Sequence, residues 1–330
     1  MKVVFFHRKP RPNHNFSVEN LFTFVRKYLP AEVEWEINEA PYFSNGFVKR
    51  LLIGFDAAFS QKGINHITGD INFISLFLKP KYTVLTLLDL GLLNHPRPII
   101  RWVLKMFWVV LPAKRAAVIT TISKATKEEL LKQVNINPGK VHVVYVPISE
   151  QFAPQPKKFN KNLPTILQIG TKSNKNVIRL VNALKGISCQ LDIIGEIDSR
   201  LMQELLRNEI VFTHAKNLSN DEVFNKYQLA DVISFVSTYE GFGMPIVEAN
   251  AIGRVVVTSD LLSMPEVAGG AAHLVDPFDI DSIRSGIVRV IEDDDYREQL
   301  IELGFENVKR FEVTEIANQY ASIYKSLGKE

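Results

Sequence analysis

The sequence has only one cysteine, Cys189, among its 330 residues. One cysteine excludes an intramolecular disulfide, and with it the small secreted folds that depend on such bridges. Long apolar runs are also lacking. The most apolar stretch, Trp102–Ala113, contains Lys105 and is shorter than the roughly 20 residues of a membrane span. The apolar core of the N-terminal segment is too short for a signal peptide. We therefore expect a cytoplasmic protein.

The chain as a whole has almost no excess of one charge sign, since its net charge is only +3. The two halves differ, however. Residues 1–150 carry 20 Lys and Arg against 11 Asp and Glu, a net of +9, whereas residues 151–330 carry 19 against 25, a net of −6. Such an imbalance bears on association and not on chemistry. It predicts charged partners, and we expect no nucleic acid among them.

What the sequence does contain is an ordinary globular composition, 46% apolar and 23% charged, at a length that suits about two domains. Short apolar runs alternate with helical patterns, which predicts an α/β fold with parallel sheets. Residues 152–164 interrupt this alternation with three prolines and three lysines. We therefore predict two doubly wound, Rossmann-like domains at residues 1–152 and 165–310, a linker at 153–164, and a last helix, 311–330, that packs back toward the first domain.

The densest functional signal is the segment Ser237–Gly253, STYEGFGMPIVEANAIG. A buried strand leads into a loop with Gly241 and Gly243, and Pro245 then stands at a favoured place for proline, the start of a helix. Strand, glycine loop and helix N-terminus together form an anion site, since free N–H groups and the helix dipole favour negative charge. The pattern therefore predicts phosphate binding.

Two acids, Glu240 and Glu248, flank this loop with seven residues between them. A carboxylate can accept paired hydrogen bonds from the hydroxyls of a sugar. The same residues also have plainer interpretations. Glu248 could complement the helix dipole, and Glu240 could be a solvated loop acid. Spacing alone does not decide between these alternatives.

Glu240-x7-Glu248 within EGFGMPIVEA resembles the signature of the retaining glycosyltransferase family 4, also described as glycosyl transferases group 1. Further segments carry the same resemblance: Thr120–Ser123, Leu167–Thr171, Asn174–Asn176, Ala230–Val232, Ser263–Gly269 and Leu274–Pro277. The resemblance is strong over about residues 165–280 and thinner before them. It implies the GT-B fold, in which two Rossmann-like domains face each other across a cleft.

The resemblance also implies roles for individual residues. Glu240 would lie against the donor sugar, Glu248 would hold the ribose, and Lys175 would pair with the diphosphate, which gains charge as it leaves. The other donor-binding residues that it implies are Gly241, Phe242, Gly243, Met244, Gly170, Thr171 and Lys172, with Leu218 near the base. No metal and no cofactor are expected beyond the nucleotide-diphosphate sugar, which is itself a substrate.

Two departures from the family pattern stand out. Thr171, followed by Lys172, replaces a common arginine, and the two cations are not interchangeable at a diphosphate. Leu88-Asp89 replaces a common His-Asp after a first-domain strand, and leucine cannot hydrogen-bond to a sugar hydroxyl. Asp89 is still expected to line the cleft. His66 or His95 could replace the missing histidine, or each could be a packing or loop residue.

Two first-domain segments bear on the acceptor. The loop His7–Asn15 has no glycine, and Arg8, Lys9, Arg11, Asn13 and His14 could bind an anionic or hydroxyl-rich acceptor or simply be solvated. The segment Arg101–Arg115 has an apolar body with basic ends. It is either a core helix or a peripheral contact with the inner face of a membrane.

The sequence thus predicts a retaining, metal-independent glycosyltransferase. It would move a sugar from a nucleotide sugar to a sugar, lipid-linked or other hydroxyl acceptor, in polysaccharide, lipopolysaccharide or glycolipid synthesis. Leu88 leaves open a nucleotide-sugar-binding protein that has lost transfer, and an epimerase of the same fold is a further alternative.

Overall fold

The computed structural model describes residues 1–10 and 17–328. The chain divides into two compact units. The first consists of Met1–Pro147 together with Glu312–Glu330, and the second is Ile148–Phe311.

The described part of the first unit is built on a six-stranded parallel sheet. Its strands are β1 (Lys2–His7), β2 (Glu34–Glu39), β3 (Ile64–Ile67), β4 (Thr83–Leu87), β5 (Val118–Thr121) and β6 (Val141–Val143). Their order across the sheet is β2-β1-β3-β4-β5-β6. Strands β3, β4 and β5 are buried along their whole length. Strands β4 and β5 accordingly read as continuous apolar or β-branched runs, whereas β3 also carries the buried polar residues Asn65 and His66.

Helices connect these strands. They are α1 (Ser17–Lys27), α2 (Phe47–Phe59), α3 (Pro98–Leu104), α4 (Leu111–Arg115) and α5 (Lys124–Gln133). A π-helical turn, Lys105–Val110, joins α3 to α4. Ser123 caps α5, because its side chain accepts a hydrogen bond from the backbone N–H of Thr126.

The second unit repeats the architecture with a second six-stranded parallel sheet. Its strands are β7 (Thr165–Ile169), β8 (Gln190–Ile194), β9 (Val211–Ala215), β10 (Val232–Phe235), β11 (Val255–Ser259) and β12 (His273–Val275), in the order β12-β11-β10-β7-β8-β9. Its helices are α6 (Val177–Leu184), α7 (Ser199–Arg207), α8 (Asn220–Leu229), α9 (Met244–Ile252), α10 (Met264–Ala268), α11 (Ile280–Glu292) and α12 (Asp294–Val308).

Each sheet has one point where the strand order reverses. In the first unit the chain leaves β1 for β2 on one side and returns to β3 on the other, and in the second unit β7 stands in the same way between β8 and β10. The crevice at the carboxyl ends of such strands is where doubly wound folds bind ligands. The topology therefore marks the ends of β1 and β3, and of β7 and β10, as candidate sites.

The segment predicted as a linker, 153–164, packs inside the second unit, and the boundary falls at Pro147 and Ile148 instead of 152. Lys157 forms an ion pair with the buried Asp231, and Arg254 Nη1 donates to the carbonyl of Gln155 at 2.8 Å. Because these contacts are made by polar groups, the segment could be predicted as a linker from its proline- and lysine-rich composition.

The last helix, α13 (Val313–Leu327), belongs to the first unit. Its Tyr324 hydroxyl is hydrogen-bonded at 2.7 Å to Nδ1 of His66, a β3 residue that is fully buried. Tyr320 and Tyr324 are buried too, and both rings pack near His66. The aromatic residues on one face of this helix therefore complete the core of the first unit.

No helix in the described part of the chain is both long enough and apolar enough to cross a membrane.

Candidate active site

The loop between β10 and α9 carries the predicted Glu240 and leads into α9, the helix whose N-terminus is predicted to bind an anion. Gly243 precedes α9 with a φ of +131°, a conformation that L side chains rarely adopt. Ser263 holds the loop, since its hydroxyl lies 3.1 Å from the carbonyl oxygen of Glu240 and 2.6 Å from that of Phe242. The local sequence thus folds the loop into a fixed turn at the end of a buried strand.

Glu240 and Lys175, predicted from separate segments, form an ion pair. Lys175 Nζ lies 2.6 Å from Glu240 Oε1, and the two side chains are only 19% and 17% exposed. Asn174 Nδ2 donates to the same carboxylate oxygen at 3.1 Å and to the carbonyl of Tyr239 at 3.0 Å. Lys175 Nζ also stands 4.7 Å from the ring centroid of Phe235. Both charges are therefore held in place from the ends of β7 and β10.

Gly170 follows β7 and makes room for Lys175. Its φ is +82°, and a Cβ there would lie 3.2 Å from Cγ and Cε of Lys175. Gly195 makes room for Thr171 in the same way, because a Cβ at Gly195 would lie 2.7 Å from Thr171 Oγ1. Lys172, next in the chain, is exposed. Gly170, which lies in a segment that carries the family resemblance, thus allows the side chain of Lys175 to pack close to the backbone.

Glu248 lies in α9, one turn beyond the loop, and accepts a hydrogen bond from the hydroxyl of Tyr227 on α8. Burial raises the pKa of Glu248 to about 7, although the tyrosine hydrogen bond and the charge of Lys175 both oppose the rise. Burial and the neighbouring carboxylate raise the pKa of Tyr227 well above its ordinary value, so its hydroxyl remains a donor. Glu248 is thus a carboxyl group that changes charge near neutral pH.

The N-terminus of α9 lies beside these groups. No side chain among the described residues caps this helix, so its first N–H groups can serve a ligand. Met244 begins the helix half-buried. Phe242 is buried and packs its ring edge-on against Phe311, at 5.6 Å between centroids. Only the backbone of Phe242 is therefore suited to contact a ligand.

The remaining predicted residues lie elsewhere. Leu218 is half-buried in the loop between β9 and α8. Asp89 is exposed after β4 in the first unit, and its Oδ1 accepts from the backbone N–H of Gly91 at 2.8 Å. The roles of these residues stay predictions, as do those of the other predicted site residues.

Neither candidate for the missing histidine is a free surface group. His66 is buried, with Tyr324 on one ring nitrogen and Thr86 Oγ1 at 2.7 Å on the other. Burial, together with the nearby His7, lowers its pKa well below the ordinary value. His95 accepts from the backbone N–H of Arg97 at 3.2 Å. In the N-terminal loop, Arg11, Asn13 and His14 lie outside the described residues.

Sequence reasoning missed three groups at this site: Asn174, Tyr227 and Ser263. Asn174 belongs to a segment that already carried the family resemblance, but its hydrogen bond to Glu240 needed the fold. A buried tyrosine in a helix usually finds a hydrogen-bond partner, which was the available signal for Tyr227. As regards metals, no cluster of three or more His, Cys, Asp or Glu side chains that could hold an ion occurs among the described residues.

Residues 149–306, nearly the whole second unit, match the family model described as glycosyl transferases group 1. The second unit therefore carries the domain of the group 1 glycosyltransferases. The matched range contains all the site residues placed above in the second unit, so the family assignment and the geometry concern the same part of this glycosyltransferase.

Curated relatives agree with the assignment. The chain is 26% identical over 277 residues to O-antigen chain mannosyltransferase B of Escherichia coli, covering 77% of this glycosyltransferase and 68% of that protein. It is also 26% identical over 230 residues to the MMP alpha-(1->4)-mannosyltransferase of Mycolicibacterium hassiacum. That match covers 64% of this chain and spans only 55% of the relative.

Solved structures match the fold over nearly the whole chain. Anabaena Alr3699/HepE, solved in complex with UDP and glucose, has a TM-score of 0.77 at 15% identity and covers 99% of this chain and 100% of its own. Sucrose-phosphate synthase from Thermosynechococcus elongatus has a TM-score of 0.80 at 15% identity, covering 99% and 98%. The predicted GT-B fold of this glycosyltransferase is thereby confirmed.

Proposed function

We propose that this glycosyltransferase moves a sugar from a nucleotide-diphosphate sugar to an acceptor hydroxyl, with retention of configuration at the anomeric carbon. The observation that carries the proposal is the Lys175–Glu240 pair, 2.6 Å apart, beside the uncapped start of α9. In this proposal Lys175 is the cation that binds the phosphate and Glu240 is the carboxylate that binds the sugar hydroxyls. Glu248, one turn on, supplies the carboxylate for the ribose.

In the proposed reaction the bond between the anomeric carbon and the diphosphate oxygen breaks, and a bond to the acceptor oxygen forms on the same face. The acceptor proton passes to the departing diphosphate, so no enzyme nucleophile is needed. The protein contributes position and electrostatics. Lys175 and the α9 N–H groups stabilise the charge that grows on the leaving group, and Glu240 orients the sugar.

The names of the relatives support a more specific substrate. Both curated relatives described above are mannosyltransferases, one of them of the O-antigen chain, and this supports mannose as the transferred sugar and a surface polysaccharide or glycolipid as the product. The UDP and glucose bound by Alr3699/HepE support a nucleotide sugar as donor.

Leu88 supports the second candidate, a protein that binds nucleotide sugars without transferring them. It directly follows β4 and is half-buried, and its backbone carbonyl accepts from Thr126 Oγ1 at 3.5 Å. Its side chain offers no hydrogen bond to a sugar. Under this alternative the donor would bind through the second unit and remain intact.

The first unit also supports peripheral contact with a membrane. Helices α2 and α3 expose large apolar side chains: Phe47 (74% exposed) and Phe59 (89%) on α2, and Ile99 (78%) and Trp102 (61%) on α3. The same helices carry the exposed cations Lys49 and Arg101. Apolar side chains among cations suit the surface of an anionic bilayer. The segment Arg101–Arg115 lies partly in the core and partly at the surface, because Trp108 and Ala113 are buried while Trp102 is not.

Flotation with anionic vesicles tests the membrane contact. Loss of flotation in Trp102→Ser, but not in Trp35→Ser, would support this contact.

The proposed function is tested by a thermal-shift screen of nucleotide sugars, followed by incubation of the best donor with sugar and lipid-linked acceptors. We expect a stabilising donor and a product whose anomeric configuration, read by NMR, matches that of the donor. An inverted product would contradict retention. Donor binding without transfer would favour the binding protein, and a changed free sugar without any acceptor would indicate an epimerase.

A further inference from the structure

A cavity of about 160 Å³ opens in the first unit, near the carboxyl ends of β1 and β3. Arg8 and Lys9 follow β1, Asp70 follows β3, and Arg50 reaches the cavity from α2. This is the point where the strand order of the first sheet reverses, and so the expected ligand position of its fold. Neither the predicted donor site nor the family match includes these residues.

The floor of the cavity is fixed by hydrogen bonds. The indole N–H of Trp108 donates to the carbonyl of Asp70 at 2.8 Å, and Asn72 Nδ2 donates to the carbonyl of Trp108 at 2.9 Å. The guanidinium of Arg50 stacks on this ring, 4.6 Å from its centroid. A ring anchored at both its side chain and its backbone holds the guanidinium in one orientation.

Within the part of the chain that the structure describes, two cations at this cavity, Arg50 and Lys9, keep unused hydrogen-bonding capacity. Arg50 donates only from Nε, to Ser44, and in the described residues its Nη1 and Nη2 have no hydrogen-bond partner. Lys9 Nζ donates to the carbonyl of Pro41 at 3.2 Å and lies 5.6 Å from the ring centroid of Phe43. A half-buried guanidinium whose fork is unpaired favours an anion that can accept two hydrogen bonds.

The charge balance also favours an anion. Three cationic side chains, Arg8, Lys9 and Arg50, line the cavity with one carboxylate, Asp70. Asp70 is already paired with Arg8 at 2.5 Å. The charge left over, about +2, matches the −1.5 to −2 of a phosphate monoester at neutral pH.

We propose that this cavity binds a phosphate ester carried by the acceptor, with the Arg50 fork and Lys9 as its direct ligands. That the ligand is the acceptor rests on the proposed function, whereas phosphate binding itself does not. The shared chemistry is the phosphate ester, whether it belongs to a lipid headgroup or to a soluble sugar or polyol phosphate.

The test measures binding of two phosphate monoesters, soluble glycerol 3-phosphate and vesicles containing phosphatidic acid, with quenching of tryptophan fluorescence as one readout and calorimetry as the other. Arg50→Gln is expected to weaken binding about tenfold, because it removes a charged fork. The control is Lys132→Gln, which removes the same charge from an exposed position of α5 in the same unit, away from the cavity and from the exposed apolar residues of α2 and α3. Lys9→Gln is a second variant that leaves the Trp108 stack intact.

Response to the soluble ester would identify a soluble acceptor, and an Arg50-dependent response to vesicles alone would identify a lipid headgroup. The proposal is overturned if the unaltered protein binds neither probe, or if Lys132→Gln weakens binding as much as Arg50→Gln and Lys9→Gln. Nucleotide-sugar binding, measured on the same variants, separates the two proposals. A protein that binds the donor but no phosphate ester refutes only this inference, and the reverse result refutes only the proposed donor site.

Discussion

The two units carry sheets of the same kind, but they place different chemistry where the strand order reverses. In the second unit a lysine and a glutamate pair with each other at the ends of β7 and β10. In the first unit, cations and aromatic rings surround a cavity at the ends of β1 and β3. The same topology therefore presents two different sets of side chains, and those just after the strands determine what each proposed site can bind.

The largest effect is expected from Glu240→Ala, which removes the carboxylate assigned to the donor sugar. Transfer should fall about 100- to 1,000-fold, while nucleotide binding changes little, because Lys175 and the start of α9 remain. Glu196→Ala is the control, since it breaks an exposed acid–lysine pair of the same unit, with Lys216 at 2.9 Å. Turnover and nucleotide affinity measured in parallel check this, and normal turnover in Glu240→Ala would remove the assigned role.

Lys175→Met comes next and tests whether the lysine stabilises the leaving diphosphate. We expect a roughly 10- to 100-fold loss in kcat, since a fixed cation helps most where charge develops. The exposed Lys172 provides the comparison, and Lys172→Met should cost less. Equal losses in the two variants would mean that a general positive potential acts there, and not a positioned charge.

Tyr324→Phe should reduce the stability of the first unit without changing the chemistry of transfer. This change removes the hydroxyl on His66 Nδ1 and leaves a buried ring nitrogen without its partner. It should lower the free energy of unfolding by about 1–3 kcal/mol. Denaturant unfolding followed by tryptophan fluorescence suits the measurement, because all three tryptophans lie in the first unit. The exposed Tyr42→Phe is the control, and equal midpoints would contradict the expectation.

The units should also respond oppositely to pH. His66 has a lowered pKa, so the unfolded chain binds more protons below 6.5 and the first unit loses stability as pH falls. Glu248 has a pKa raised to about 7, so the folded second unit binds more protons and loses stability as pH rises from 4.5 to 7. Each slope is at most about 1.4 kcal/mol per pH unit.

Hydrogen exchange, read separately for each unit from pH 5 to 8, checks this opposition. Glu248→Gln should remove the slope of the second unit and leave that of the first. The same variant should abolish the gain in nucleotide affinity that we expect as pH rises through 7, since a carboxylate accepts ribose hydroxyls better than a carboxylic acid does. Parallel slopes in the two units would refute this prediction.

The smallest expected effect is that of a chelator. If Lys175 and the α9 N-terminus provide the positive charge at the diphosphate, EDTA should leave transfer unchanged. A loss of activity that Mg²⁺ or Mn²⁺ restores would show that the second unit needs a metal.

Much of the fold was predictable because its central strands are buried on both faces. The buried strands Thr83–Leu87 and Val118–Thr121 are short apolar or β-branched runs that can be recognised in the sequence. Strand β2 lacks such a run, since it lies at the sheet edge, where its charged residues Glu34, Glu36 and Glu39 are tolerated.

The site was predictable in part. The glycine loop and its two acids could be found from spacing and resemblance, because they are close in sequence. The contacts of Lys175 with Glu240 and of Tyr227 with Glu248 join residues 65 and 21 positions apart. Such pairings depend on which strands and helices become neighbours, and no local pattern encodes that. The cavity at Arg50 and Trp108 escaped for the same reason.

The attachment of α13 to the first unit has a consequence for synthesis on the ribosome. His66 is synthesised 258 residues before Tyr324, its hydrogen-bonding partner. During that interval the second unit can be completed, while the aromatic face that receives Tyr320 and Tyr324 stays uncovered. The unit that begins first is thus finished last, and a chain interrupted before residue 313 would present that face to chaperones and proteases.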